Sequence, residues 1–145
     1  MKFTFAISEM DPVSIEKDSP FLVREIDDES DCYMSRSCKE LGFLFDTQEE
    51  ALEAAKRFYY CSLAAKMGRP WKTGGPNAVI CYDETSKRLL ARSMDGDWIS
   101  SVITSPWYFD SEINACEALR QIGELNYAKY VMGLRGIDLL VLNRL

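Results

Sequence analysis

Two short stretches hold the residues best suited to chemistry. Glu25-Ile26-Asp27-Asp28-Glu29-Ser30-Asp31 sets five carboxylates in seven positions. Such a run can hold a cation, or it can present a row of negative charge to a basic surface as phosphates do. It lacks the central glycine and the terminal glutamate of an EF-hand loop, so calcium is not the expected ligand. The second stretch is Lys66-Met67-Gly68-Arg69-Pro70-Trp71-Lys72-Thr73-Gly74-Gly75-Pro76, with three cations, a tryptophan and three glycines. A cation beside an aromatic ring can stack on a base or nucleotide, and glycine N–H groups can approach a phosphate. The glycine spacing and following helix of a P-loop or dinucleotide fingerprint are missing. The same stretch also reads as a plain connection with Trp71 packed on the core, or as a contact with another protein.

Composition narrows the chemistry further. The chain of 145 residues has no histidine. Ser-His-Asp and Cys-His nucleophilic sites and His-rich zinc sites therefore cannot be built. Carboxylate, lysine, tyrosine or cysteine chemistry remains open, but no spacing signals it, and neither catalytic residues nor a cofactor are expected. Asp95 and Asp97 flank Gly96 like an acid/base pair. Tight-turn chemistry is the reading preferred for them.

Five cysteines stand at 32, 38, 61, 81 and 116, none in CxxC spacing. They read as reduced thiols, mostly buried, with no metal role expected. Met1-Lys2-Phe3-Thr4-Phe5 alternates and so does not form a signal-peptide core. No apolar run approaches the ~18 residues of a membrane span. These features point to the cytoplasm, a host's cytoplasm for a phage-encoded chain.

The net charge is −6, from 17 basic and 23 acidic residues. That disfavours direct binding to nucleic acid, which needs Lys and Arg to neutralise phosphates, and to anionic membranes. The charge is also uneven. Residues 1–65 hold 14 acids and 7 bases, net −7, and residues 66–145 hold 9 acids and 10 bases, net +1.

The elements that must position these residues follow from periodicity. Phe3, Phe5 and Ile7 alternate with polar or small neighbours, as in a half-buried strand. Phe21–Ile26 reads as a second strand, and Cys32–Ser35 as a third that closes a hairpin. Thr47-Gln48-Glu49-Glu50 is a capping box. Leu52, Ala55, Phe58, Tyr59 and Leu63 recur at three- and four-residue steps, predicting a helix over about 48–66 that Gly68 and Pro70 stop. Residues 78–82, 88–93 and 98–104 read as a three-stranded meander. A helix is expected from Ser111 to about Ile122, broken by Gly123, with a further helical piece over 125–132. Trp98, Trp107, Tyr108 and Phe109 read as core, with an interface role as the alternative. Tyr127, Tyr130 and Lys129 read as one amphipathic face, and residues 137–142 fit helix or strand.

Phe45-Asp46-Thr47 before Ala51, Glu53 and Ala54 resembles Phe109-Asp110-Ser111 before Ala115, Glu117 and Ala118, 64 residues later (45 to 109). Convergent helix-start chemistry is the first reading of this likeness, and a pseudo-repeat, over 1–66 and 78–132, of a β-β-(β)-α unit is the alternative.

The expectation is a single α+β domain over 1–145, with a mostly antiparallel sheet and two main helices packed on one face. Functionally, the chain reads as a non-enzymatic acidic binding protein that inhibits or regulates a basic macromolecular partner, such as a nucleic-acid-binding enzyme. In charge and size it resembles the small inhibitors that phages and mobile elements direct against host defence, a resemblance of composition alone. The expected contact residues are Glu25, Asp27, Asp28, Glu29 and Asp31, with Trp71 as an anchor. The alternatives are a nucleotide-binding module using Arg69, Trp71 and Lys72, and a toxin-immunity protein.

Overall fold

A computed structural model describes residues 2–7, 21–27, 33–94, 103–136 and 139. It is an α+β structure with antiparallel pairing throughout. The chain divides into two compact units, Met1–Tyr59 and Tyr60–Leu145.

In the first unit, β1 (Lys2–Ile7) pairs antiparallel with β2 (Phe21–Ile26). The register puts Phe5 beside Val23 and Ile7 beside Phe21, so these four side chains share one face. The other edge of β1 is also used: the Phe3 and Phe45 backbones exchange two hydrogen bonds of 2.8 Å. Cys32–Ser35 does not return as a strand. Cys32 lies outside the described residues, and Tyr33–Leu41 forms helix α1. A window of four residues was too short to show the helical period, which places Cys38 inward so that its thiol reaches the Thr4 hydroxyl at 3.7 Å. Gly42 ends α1 at φ +74, with the Phe43 N–H bonded to the Cys38 carbonyl at 2.8 Å, the six-to-one bond of a Schellman cap.

Helix α2 (Gln48–Met67) begins where the capping box places it, with the Glu50 N–H donating to Thr47 Oγ1 at 3.1 Å. Its closed face is not the expected stripe of large residues. Ala51, Ala55, Tyr60 and Ala64 are buried, whereas Phe58 is 55% exposed. Small residues allow close approach, so the alanines do the packing and Phe58 lies to one side, its ring 6.4 Å from Phe5. Tyr59 meets the buried Phe21 edge-on at 5.4 Å.

In the second unit, β3 (Asn77–Asp83), β4 (Arg88–Met94) and β5 (Ile103–Phe109) form a sheet in the order β4-β3-β5. The described third strand runs past residue 104, through Trp107, Tyr108 and Phe109. Asp95–Val102, including Trp98, lie outside the described residues. A sequential meander does not form, because β5 pairs with β3 on the edge opposite β4. Between the Val79–Tyr108 and Cys81–Thr104 pairs, Ile80 alone faces residues 105–107. Pro106 has no N–H to give a ladder, and this bulge is where it can be accommodated.

Helix α3 (Glu112–Ile122) packs on this sheet, capped by Ser111 Oγ, which accepts the Asn114 N–H at 3.1 Å. Gly123 interrupts it at φ +93. A short turn α4 (Glu124–Asn126) then runs into a π-helical turn, Tyr127–Val131, with Tyr127 and Tyr130 buried. Of the 137–142 segment only Leu139 is described.

The five described strands thus fall in two sheets instead of sharing one. Each first strand uses both edges within its own unit, β1 on β2 and Phe45, β3 on β4 and β5. Neither is left an edge for the other sheet.

Candidate functional site

The first unit holds the acidic residues. Its 14 acids against 7 bases give net −7, the second unit's 9 against 10 give +1, and no charged residue falls between 60 and 65 to alter the split. Glu25 sits on β2 and Asp27 follows the strand, both exposed. Asp28, Glu29 and Asp31 lie outside the described residues. Glu49 and Glu50 occupy the first turn of α2, where the helix dipole favours them, and both are exposed, as is Glu40 on α1. Among the described residues, no hydrogen bond or ion pair holds the side chains of Glu25, Glu40, Glu49 or Glu50. Asp46 differs, because the Lys2 ammonium bonds it and holds its carboxyl below the usual range.

Among the described residues of the second unit, five of the six acids accept hydrogen bonds, and Glu84 is the exposed exception. Glu124 accepts from Arg88 Nε and Nη2 at 2.9 and 2.8 Å and from the Leu89 N–H at 2.8 Å. Burial pushes its carboxyl up, but those donors outweigh burial and its pKa ends below the ordinary value. Glu112 accepts the Ser93 N–H at 2.9 Å. Asp83 accepts from the Ser86 hydroxyl and N–H, and Glu117 from Arg120 and Gln121. Asp110 is taken by Arg69.

The 66–76 stretch is built around that arginine. Its backbone pairs with Tyr108 through bonds of 2.8 and 2.7 Å, extending the outer edge of β5. Gly68 permits this approach, since a Cβ there would lie 3.0 Å from Trp107 Cβ and 3.1 Å from the Tyr108 carbonyl oxygen. The guanidinium donates from Nε to Asp110 (2.8 Å), from Nη1 to Pro70 O (3.1 Å) and Asn77 Oδ1 (2.9 Å), and from Nη2 to Pro76 O (2.5 Å). Of the five N–H donors an arginine carries, four are spent. Buried Asn77 closes the loop by bonding both backbone groups of Lys72, at 2.9 and 2.8 Å.

Arg69 is thus turned onto its own loop, where a carboxylate, an amide oxygen and two backbone carbonyls accept four of its donors. Trp71 is neither buried in the core nor free of it: it meets Tyr108 edge-on at 5.2 Å and keeps 42% of its surface exposed. Lys72 is exposed. Asn77 and Asp110, which fix the loop, were not legible as its partners, because both lie outside the stretch they hold.

Among the described residues, no group of three or more His, Cys, Asp or Glu side chains is arranged to hold a metal. The described cysteines are free thiols. Cys81 is buried, which pushes its thiol pKa up, whereas Cys116 is exposed, against the expectation of mostly buried sulfur. Cys61 donates to the Tyr130 carbonyl at 3.2 Å. No helix among the described residues is long and apolar enough to cross a membrane. No family model, no curated protein and no solved structure matches the chain.

Proposed function

We propose that the chain is a non-enzymatic binding protein that occupies a basic surface on another macromolecule and thereby inhibits or regulates it. A nucleic-acid-binding enzyme is the kind of partner that carries such a surface, and a phage or mobile element countering host defence, in the host cytoplasm, is the setting this activity fits. The observation that carries the reading is the division of charge. Five of the six described acids of the second unit, all but Glu84, are engaged in its own hydrogen bonds, while the first unit holds the entire excess of negative charge, with Glu25, Glu40, Glu49 and Glu50 exposed and unbonded among the described residues. Exposed carboxylates with no bonded partner among the described residues are available to steer and bind a cationic partner. The expected contact residues are Glu25, Asp27, Asp28, Glu29 and Asp31. Trp71, half exposed on the second unit, is the candidate aromatic anchor.

The nucleotide-binding alternative is not favoured, because Arg69 is spent within the loop. The test immobilises the whole chain and, in parallel, a variant with the five acids of 25–31 changed to lysine. Both are exposed to host lysate, and bound proteins are identified by mass spectrometry. Basic proteins held by the parent and released by the variant support the reading. An identical captured set from both removes it.

A further inference from the structure

We infer that the two units are copies of one β-β-β-α module, with the chain arising by tandem duplication. In each unit the first strand is central. The second strand pairs on one edge, and an antiparallel third segment pairs on the other and leads directly into a capped helix; that segment is the strand β5 in the second unit and a single bridge at Phe45, reached after helix α1, in the first. The correspondence is fixed residue by residue. Phe3 bridges Phe45 as a hydrogen-bonded pair. Ala78 stands opposite Phe109, and because the Tyr108 backbone is given to Arg69, the alternation of an antiparallel ladder makes Ala78–Phe109 a hydrogen-bonded pair as well. Phe45 and Phe109 therefore occupy the same place.

From that anchor the second strands align through their partners, Glu25 opposite Phe3 and Ser93 opposite Ala78. Phe21-Leu22-Val23-Arg24-Glu25-Ile26 then matches Leu89-Leu90-Ala91-Arg92-Ser93-Met94. Phe21 and Leu89 are 5% and 4% exposed, Leu22 and Leu90 are 44% and 37%, and the intermediate and exposed classes agree at the next three positions. The two identities, leucine and arginine, fall at exposed positions. Packing demands a hydrophobe at Phe21 and Leu89, but it does not demand Leu22 and Leu90 or Arg24 and Arg92. Common descent accounts for them and convergence on a buried pattern does not.

At the helix starts, residues 45–54 and 109–118 share five of ten residues: Phe45/Phe109, Asp46/Asp110, Ala51/Ala115, Glu53/Glu117 and Ala54/Ala118. Both caps bond the N–H three residues on at 3.1 Å, and both aspartates hold a base, Lys2 in one copy and Arg69 in the other. The first strands keep their register and none of their residues.

The test grafts one copy's strand into the other within the full chain. Residues 21–26 are replaced by the aligned hexapeptide (F21L, V23A, E25S, I26M) or by the same strand shifted by one, the sequence of 88–93. The aligned graft is expected to melt cooperatively within about 10 °C of the parent. The shifted graft should lose its transition, because a one-residue slip sends every side chain to the opposite face. An aligned graft that folds no better than a shifted graft that still folds overturns the proposal. If both unfold, an experimental structure of the parent decides: α3 lying on the face that carries Leu89 and Ala91, as α2 lies on the face of Phe21 and Val23, supports the duplication, and α3 on the other face overturns it.

Discussion

Ser105 Oγ and Tyr127 OH lie 2.6 Å apart, and both side chains are closed to solvent. The pair joins the bulge of β5 to the π-helical turn. Ser105 Oγ also accepts the Trp107 N–H at 3.3 Å, so losing the serine leaves both the phenol and that N–H without their acceptor, and losing the phenol removes one of the serine's two bonds, at a cost of about 1–3 kcal/mol. Ser105→Ala and Tyr127→Phe should each lower stability by that order. The double variant should cost less than the sum of the two, because the bond they share is lost only once. Urea midpoints of the four proteins give the coupling directly, and strict additivity would show the bond to be idle.

The same tyrosine sets an alkaline limit. Burial pushes its phenol up to about 12, with the Ser105 bond pulling weakly the other way. In the unfolded chain the phenol ionises near 10. Between those values the unfolded chain has lost a proton that the folded chain keeps, so stability is intact below about pH 10 and declines towards about pH 12, by roughly 3 kcal/mol in all. Tyr127→Phe should remove that decline while the remaining lysine and tyrosine titrations persist. The measurement is the difference between the two proteins' stabilities, followed from about pH 9 to about pH 11.

Arg69 yields a prediction that also decides the ligand question. Lysine can replace its charge but not its fork, which reaches Asp110, Asn77 and Pro76 from three nitrogens. Arg69→Lys should therefore destabilise the chain nearly as much as Arg69→Ala, on the order of 2 kcal/mol. Nucleotides should leave the melting temperature of the parent unmoved. A ligand held by the native state alone would raise it.

The legible parts of this fold were the ones with local causes. Thr47 and Ser111 cap helices at the positions their spacing marks, and Gly123 breaks the second helix as written. What escaped was set by distant partners. Nothing near Cys32–Ser35 says that Cys38 will turn towards Thr4 and make the segment helical. Nothing near Arg69 says that Asp110 and Asn77 will consume its donors. The second strand's burial pattern, Phe21 in and Leu22 out, became informative only once Leu89 and Leu90 repeated it.

The two caps should also be matched in energy. Thr47→Ala and Ser111→Ala each delete a side-chain acceptor 3.1 Å from its N–H at an exposed helix start. Each should cost about 1 kcal/mol. The equivalence of the units predicts similar losses at the two sites and, because the caps share no partner, additivity in the double variant. Thermal melts of three variants check it. A cap whose loss costs nothing would mean that its helix start is held by other contacts.

Charge reversal on the first unit should act on binding. The Glu25 side chain bonds nothing among the described residues and is exposed, so Glu25→Lys removes negative charge at little expected cost in packing; the variant that also changes Asp27, Asp28, Glu29 and Asp31 is compared with the parent by thermal melt before its binding is read. Against a captured basic partner, the reversed chain should associate more slowly, since charge complementarity acts mainly on the encounter rate. The parent's association rate should fall steeply with added salt, because exposed charges are screened beyond about 10 Å at about 0.1 M. The variant's should stay nearly flat. Equal changes to surface acids of the second unit, such as Glu84, should leave both quantities in place. Stopped-flow or surface-binding kinetics over a salt series distinguish the outcomes: parallel salt slopes for parent and variant would mean that the acidic run plays no part in recognition.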